Sequence, residues 1–165
     1  MTQNDKALLT RLREQQVEFV IIGGVCGILH GVTLVTLDLD ICCRFSRENL
    51  RRLEAAVKDL HPQHRLTANK LPLELTDELC DSLKNIYLRT DWGTLDCLSE
   101  VSGIGGFEQV WQCSVPHTMS FGEFRILGLD ALIAAKTAAG RLKDQEAVRL
   151  LLVIKEKKER QKDLF

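Results

Sequence analysis

The stretch from Val17 to Arg44, VEFVIIGGVCGILHGVTLVTLDLDICCR, constrains this chain most. A continuous apolar run, Phe19 to Ile22, has the length and composition of a buried strand, and it stops at Gly23-Gly24, where a turn needs residues without a Cβ. A short helical run, Val25 to His30, follows at once. From Val35 the pattern becomes strict alternation: Val35, Leu37, Leu39 and Ile41 on one face of a strand, Thr36, Asp38, Asp40 and Cys42 on the other. Asp38 and Asp40 are therefore neighbours on one surface.

Two carboxylates held this close repel each other, and aspartate is poorly suited to a strand. A divalent cation between them removes the conflict, and hard ions such as Mg²⁺ are held by one or two carboxylates together with substrate phosphates. The Gly-Gly turn opening a helix supplies backbone N–H groups at the positive end of a helix dipole, which suits a phosphate. An isolated Asp-x-Asp more often marks the wet face of an exposed strand. Here the order strand, Gly-Gly, helix, strand, Asp-x-Asp favours chemistry.

Along the rest of the chain, Asp5 to Gln16 reads as a helix with Leu8, Leu9 and Leu12 inward. Ser46 caps a second helix running to about Leu60, with Leu50, Leu53, Val57 and Leu60 as its stripe and its arginines as a solvated face. His61 to Leu75, broken by Pro62 and Pro72, is a loop with one short extended piece, and Thr76 to Lys84 is a short capped helix. Ile86 to Arg89, a turn at Asp91-Trp92-Gly93, and Thr94 to Leu98 form a hairpin. Asp96 lies inside its second strand between Leu95 and Cys97, a costly place for a carboxylate without a partner. Beside the Asp38-Asp40 strand it completes a set of three carboxylates; on an edge strand it simply faces solvent.

Ser102 to Gly106 is glycine-rich, lacks the Lys-Ser or Lys-Thr of a P-loop, and reads as a turn. Val115 to Leu127 suggests two strands around Gly122. The C-terminal third is helical: Asp130 caps a helix in which Lys136 lines up with Leu129, Leu132 and Ile133, a position suited to snorkelling or to pairing with a phosphate. A second helix, from about Lys143 to Lys155, turns Ala147, Leu150, Leu151 and Ile154 inward, and its tail KEKKERQK reads as frayed and solvated.

At 165 residues the chain is read as one domain, 1–165, with a core over 17–127 and C-terminal helices over 128–157. Its apolar fraction of 45%, charged fraction of 27% and net charge of −1 fit a soluble globular protein and give no sign of a general nucleic-acid binder. No apolar run is long enough for a bilayer and the N-terminus lacks a signal-peptide core, so a cytoplasmic protein without membrane contact is expected. The six cysteines agree: none forms Cys-x-x-Cys, most lie in apolar runs, and Cys113 with His117 lacks the second ligand pair of a zinc site.

Gly23-Gly24, followed by His30-Gly31, Thr36, Asp38 and Asp40, resembles the signature of the nucleotidyltransferase superfamily, in particular its small AbiEii-like and MNT-like bacterial branch. Leu95-Asp96-Cys97-Leu98 resembles the later strand that carries a third carboxylate there, and LDALIAAKTAAGRLKD resembles the C-terminal motif of the AbiEii-like branch. These motifs keep their order across roughly 8–154.

The resemblance implies an α/β (α+β) fold, a mixed-sheet core with flanking helices and a C-terminal helical segment. It implies a nucleoside triphosphate with two Mg²⁺ ions, Mn²⁺ being able to substitute, on the ligands Asp38, Asp40 and Asp96. Gly23, Gly24, Thr36, Lys136, Lys143 and Asp144 would face the nucleotide, with Gly140 and Arg141 in the same motif. The implied reaction moves a nucleoside monophosphate to a hydroxyl of RNA, tRNA or a protein and releases pyrophosphate. One departure stands out: many relatives carry an arginine two residues before the threonine, where this chain has Leu34. Two other readings stay open, a catalytically silent member of a toxin-antitoxin pair that binds a nucleotide or partner, and a nucleic-acid-binding module without chemistry.

Overall fold

The computed structural model describes residues 1–162. The chain opens with α1 (Gln3–Glu14), two residues earlier than its hydrophobic stripe suggests, because Thr2 caps it and Asp5 reaches back to the Thr2 N–H. Leu8, Leu9 and Leu12 are buried. Then come β1 (Phe19–Ile21), α2 (Gly23–His30) and β2 (Asp38–Cys43).

Two expectations fail in this stretch. Gly23 and Gly24 are the first turn of α2, with Ile22 as its N-cap, and not a separate turn before the helix. The strand begins at Asp38, not Val35: Val35 and Leu37 are 89% and 84% exposed on the segment leading into it. Alternation alone does not make a strand; a ladder partner is needed. On one side the partner strand meets β2 at Asp38 opposite Thr94, and on the other β1 reaches only Ile41, so nothing pairs with 35–37.

Ser46 caps α3 (Arg47–Val57), and a 3₁₀ turn carries the chain to Leu60. After β3 (Gln63–His64) and α4 (Asp77–Ser82), capped by Thr76, β4 (Asn85–Thr90) and β5 (Gly93–Leu98) form the expected hairpin. The glycine-rich segment is a small two-stranded ribbon, β6 (Glu100–Val101) with β7 (Gly105–Gly106), and it leads into α5 (Phe107–Gln112), a helix too short to announce itself by periodicity. β8 (Ser114–Met119) and β9 (Gly122–Leu127) form the second expected hairpin.

Gly128, not Asp130, is the N-cap of α6 (Leu129–Ala139); Asp130 lies in the first turn, where its charge suits the helix dipole, and pairs with Lys155 at 2.9 Å. The last helix, α7 (Leu142–Lys162), is longer than expected. The KEKKERQK tail continues it, with residues 156–161 exposed. No helix among the described residues is long and apolar enough to cross a membrane.

A seven-stranded mixed sheet in the order β3-β4-β5-β2-β1-β9-β8 organises these elements. β2 runs parallel to β5 and antiparallel to β1, and β1 runs parallel to β9. Leu39, Ile41, Leu95 and Cys97 are fully buried, so the two central strands rest on a rigid apolar base. Five cysteines are buried and unpaired, and burial pushes the Cys26 and Cys42 thiols up to about 12, where they are inert.

The ends of β1 and β2 are stapled by Asn49 of α3, which is 1% exposed. Its Oδ1 accepts from the Glu18 N–H at 2.7 Å, and its Nδ2 donates to the Glu18 and Arg44 carbonyls at 3.1 and 2.9 Å. Asn49→Ala leaves these groups unsatisfied and is expected to cost about 2–4 kcal/mol, measured by urea unfolding.

Candidate functional site

The register between β2 and β5 sets Asp40 opposite Asp96 and Asp38 opposite Thr94. Strand periodicity puts Asp38 and Asp40 on one face, and the parallel pairing brings Asp96 beside them. Asp40 is half-buried under the start of α2. Its carboxyl is pushed up to about 6, first by burial and then by the charges of Asp96 and Asp38, against the downward pull of the Gly24 N–H and of Lys143. Asp38 accepts a hydrogen bond from Thr94 Oγ1 at 2.6 Å. Asp96 is only 6% exposed, and both of its oxygens are taken by Arg65, through Nε at 3.0 Å and through a second guanidinium N–H.

The two glycines are there because of close approach. Gly23 has φ +64°, and a Cβ on it would overlap the Asp40 carboxylate; a Cβ on Gly24 would lie 2.5 Å from Thr36 Oγ1. Thr36 in turn donates to the Asp38 carbonyl at 3.3 Å, so helix start, loop and strand interlock. Gly23→Ala is expected to cost at least about 1–2 kcal/mol from the left-handed backbone alone, read as a lowered urea midpoint.

On the far side of the cleft stand α6 and α7. Lys136 Nζ lies 3.2 Å from one oxygen of Asp144 and Arg141 Nε lies 2.5 Å from the other. Asp144 is 1% exposed and ionised: burial raises its pKa, but Arg141 and Lys136 together hold it below the ordinary value. Lys143 is exposed.

The structure thus brings Gly23, Asp40, Asp96 and Lys136 around one cleft of about 360 Å³, together with Tyr87, Glu100 and Arg141. Of the other expected residues, Gly24 and Thr36 lock the glycine turn, Asp38 stands next along β2, and Asp144 lies beneath the two cations it orients. A larger hollow of about 580 Å³ beside Arg51 and Glu54 gathers no carboxylate row, and those two residues pair with each other.

Arg65, Tyr87 and Glu100 escape the sequence reading. Arg65 sits in an irregular segment with no periodicity to aim it. Tyr87 has a legible signal, being on the expected hairpin, where the register places it opposite Asp96.

Among the described residues no three His, Cys, Asp or Glu side chains are arranged to hold one metal ion. Asp38 and Asp40 are hard oxygen donors without a cationic partner in direct contact, which suits Mg²⁺, while Asp96 is already neutralised by a guanidinium.

No protein-family model matches the chain, and a search of the curated proteins finds no match. Solved structures do match. The crystal structure of ANT(2'')-Ia in complex with adenylyl-2''-tobramycin has a TM-score of 0.57 at 20% identity, over 88% of this chain and 84% of that one. The solution structure of the antibiotic-resistance factor ANT(2'')-Ia gives 0.56 at 15% identity, over 96% and 90%. TM1012 of Thermotoga maritima, described as a candidate nucleotidyltransferase, gives 0.55 at 15% identity, over 88% of both chains. The chain therefore has the nucleotidyltransferase fold.

Asp40 binds its proton more tightly folded than unfolded. The folded state therefore gains relative to the unfolded one as pH falls from about 6 toward 3.8, and loses as pH rises through that window. Asp40→Asn removes the penalty. The variant is expected to be more stable than the parent at pH 7.5, by up to about 3 kcal/mol, and to lose this advantage near pH 4.5, as chemical denaturation at the two pH values will show.

Proposed function

We propose that the chain is a metal-dependent nucleotidyltransferase of the AbiEii-like or MNT-like kind, which moves a nucleoside monophosphate from a nucleoside triphosphate to a hydroxyl acceptor. The observation that carries this reading is the β2–β5 register, which sets Asp38, Asp40 and Asp96 in one row beneath the glycine turn and opposite Lys136 and Arg141.

The acceptor oxygen forms a bond to the α-phosphorus, the bond from that phosphorus to the oxygen bridging it to the β-phosphate breaks, and pyrophosphate leaves with its electron pair. A divalent cation, when bound, screens the triphosphate and stabilises charge on the attacking and leaving oxygens. Asp38 and Asp40 are the residues that would hold it. The carboxylate row receives the hydroxyl proton as the bond to phosphorus forms. Lys136 and Arg141 face the departing phosphates, held in place by Asp144 so that no reorganisation is needed when charge develops.

The acceptor is a macromolecular hydroxyl, on RNA, tRNA or a protein. Val35 and Leu37, in the segment leading into Asp38, expose apolar surface that a macromolecular acceptor could cover. The excess of basic over acidic residues from Arg141 onward, eight against five, suits RNA. In a complex with RNA, affinity falls steeply with salt; with a protein hydroxyl it does not.

Calorimetric titration of the four nucleoside triphosphates with Mg²⁺ is expected to show metal-dependent binding by the native protein and none by the Asp38→Ala, Asp40→Ala double variant. A folded native protein that binds none of them would overturn this reading in favour of a silent partner-binding protein of toxin-antitoxin type.

A further inference from the structure

Of the cations near the carboxylate row among the described residues, only Arg65 is in direct contact with it. Lys136 and Arg141 are engaged with Asp144. Lys143 acts on Asp40 only as a charge at a distance. Arg65 covers Asp96 with two parallel N–H donors, the planar fork that matches a carboxylate.

The arginine is built in, not draped over the surface. Its own N–H donates to the Tyr87 carbonyl at 2.9 Å, directly after β3 pairs with β4 at His64 and Leu88. Its guanidinium lies 5.4 Å from the centre of the Tyr87 ring, and its side chain is 29% exposed. Backbone, ring and carboxylate together fix one position for it.

The row carries three negative charges, and Arg65 cancels one of them. The remainder, on Asp38 and Asp40, equals the charge of one divalent cation. A second cation bridging Asp40 and Asp96 would have to displace a pre-organised bidentate pair and leave the guanidinium beside a bound divalent ion. Mg²⁺, which parts with its water reluctantly and demands octahedral oxygen ligands, is poorly suited to that exchange.

We propose that Arg65 is a resident cation of this site: its guanidinium fills the position beside Asp96 that a second ion takes in two-metal enzymes, so the chain holds a single divalent ion, on Asp38 and Asp40. The inference rests on the nucleotidyltransferase reading and departs from its two-ion expectation. It makes Arg65 a positioning residue, one that orients Asp96 without metal.

The test is a Mn²⁺ titration of the full chain with one equivalent of a nucleotide whose α–β bridging oxygen is replaced by methylene, followed by electron paramagnetic resonance. The expected result for the native protein is one retained ion per chain with an uncoupled six-line spectrum. Arg65→Gln is expected to retain two, with the spin coupling of ions about 4 Å apart. Because that variant leaves Asp96 buried without its cation, the double variant Arg65→Gln, Asp96→Asn, which removes the pair together, serves as the folding control and is expected to retain one. Two coupled ions in the native protein would overturn the assignment of Arg65 and leave the catalytic reading intact. No retained ion beyond that of the nucleotide alone, unaffected by Asp38→Ala, would overturn the metal-dependent reading itself.

Discussion

The parallel pairing of β2 with β5 holds Asp40 against Asp96, two carboxylates at matched positions on adjacent strands with Asp38 next in line. Every other feature of the site answers the repulsion this creates. Like charges on neighbouring strands oppose folding, and here Asp40 is half-buried and Asp96 buried, where water screens them poorly. The pairing survives because the opposite face of both strands is fully apolar: with Leu39, Ile41, Leu95 and Cys97 buried, a one-residue slip would turn this set out of the core. Hydrophobic burial enforces the proximity, and electrostatics must accommodate it.

The accommodation comes from three directions, each from a different part of the chain. Arg65, beyond β3, neutralises Asp96. The Gly24 N–H, at the start of α2, pulls Asp40 toward its ionised form, and this is possible because the adjoining Gly23 carries no Cβ to strike that carboxylate. Asp38 receives only the hydroxyl of Thr94. The deficit of positive charge is therefore local, at Asp38 and Asp40. Uncompensated charge of this kind lowers stability where it sits.

Across the cleft the logic is reversed. Asp144 is the buried group, and the cations are its partners: one carboxylate ties the end of α6 to the beginning of α7 through Lys136 and Arg141. Held this way, the two long side chains lose conformational freedom during folding. A negative wall on the sheet and a fixed positive wall on the helices together frame a cleft of about 360 Å³, within the range of small-ligand sites.

Much of this was legible in the residues alone. Period-two alternation placed Asp38 and Asp40 on one face, the isolated charge in LDCL marked Asp96 as a carboxylate in need of a partner, and the two hairpins followed from their turn residues. Local signals of this kind survive because they depend on a residue's neighbours in sequence. The limits of β2 did not survive, since a strand exists only where a ladder partner reaches, and no alternation at Val35 and Leu37 reveals where β5 begins. The Gly-Gly pair was readable as a place that excludes Cβ, but not as the first turn of α2 pressed onto Asp40 and Thr36.

Arg65 was beyond reach for the same reason. It is separated from Asp96 by 31 positions in an irregular segment, and only the docking of β3 on β4 sets it over Tyr87 and against that carboxylate. The sequence by itself determined which groups can bear charge and which faces must be buried. The tertiary structure decided which charges meet, because ion pairs, unlike strand and helix periodicity, are set by distances in space that chain spacing does not encode.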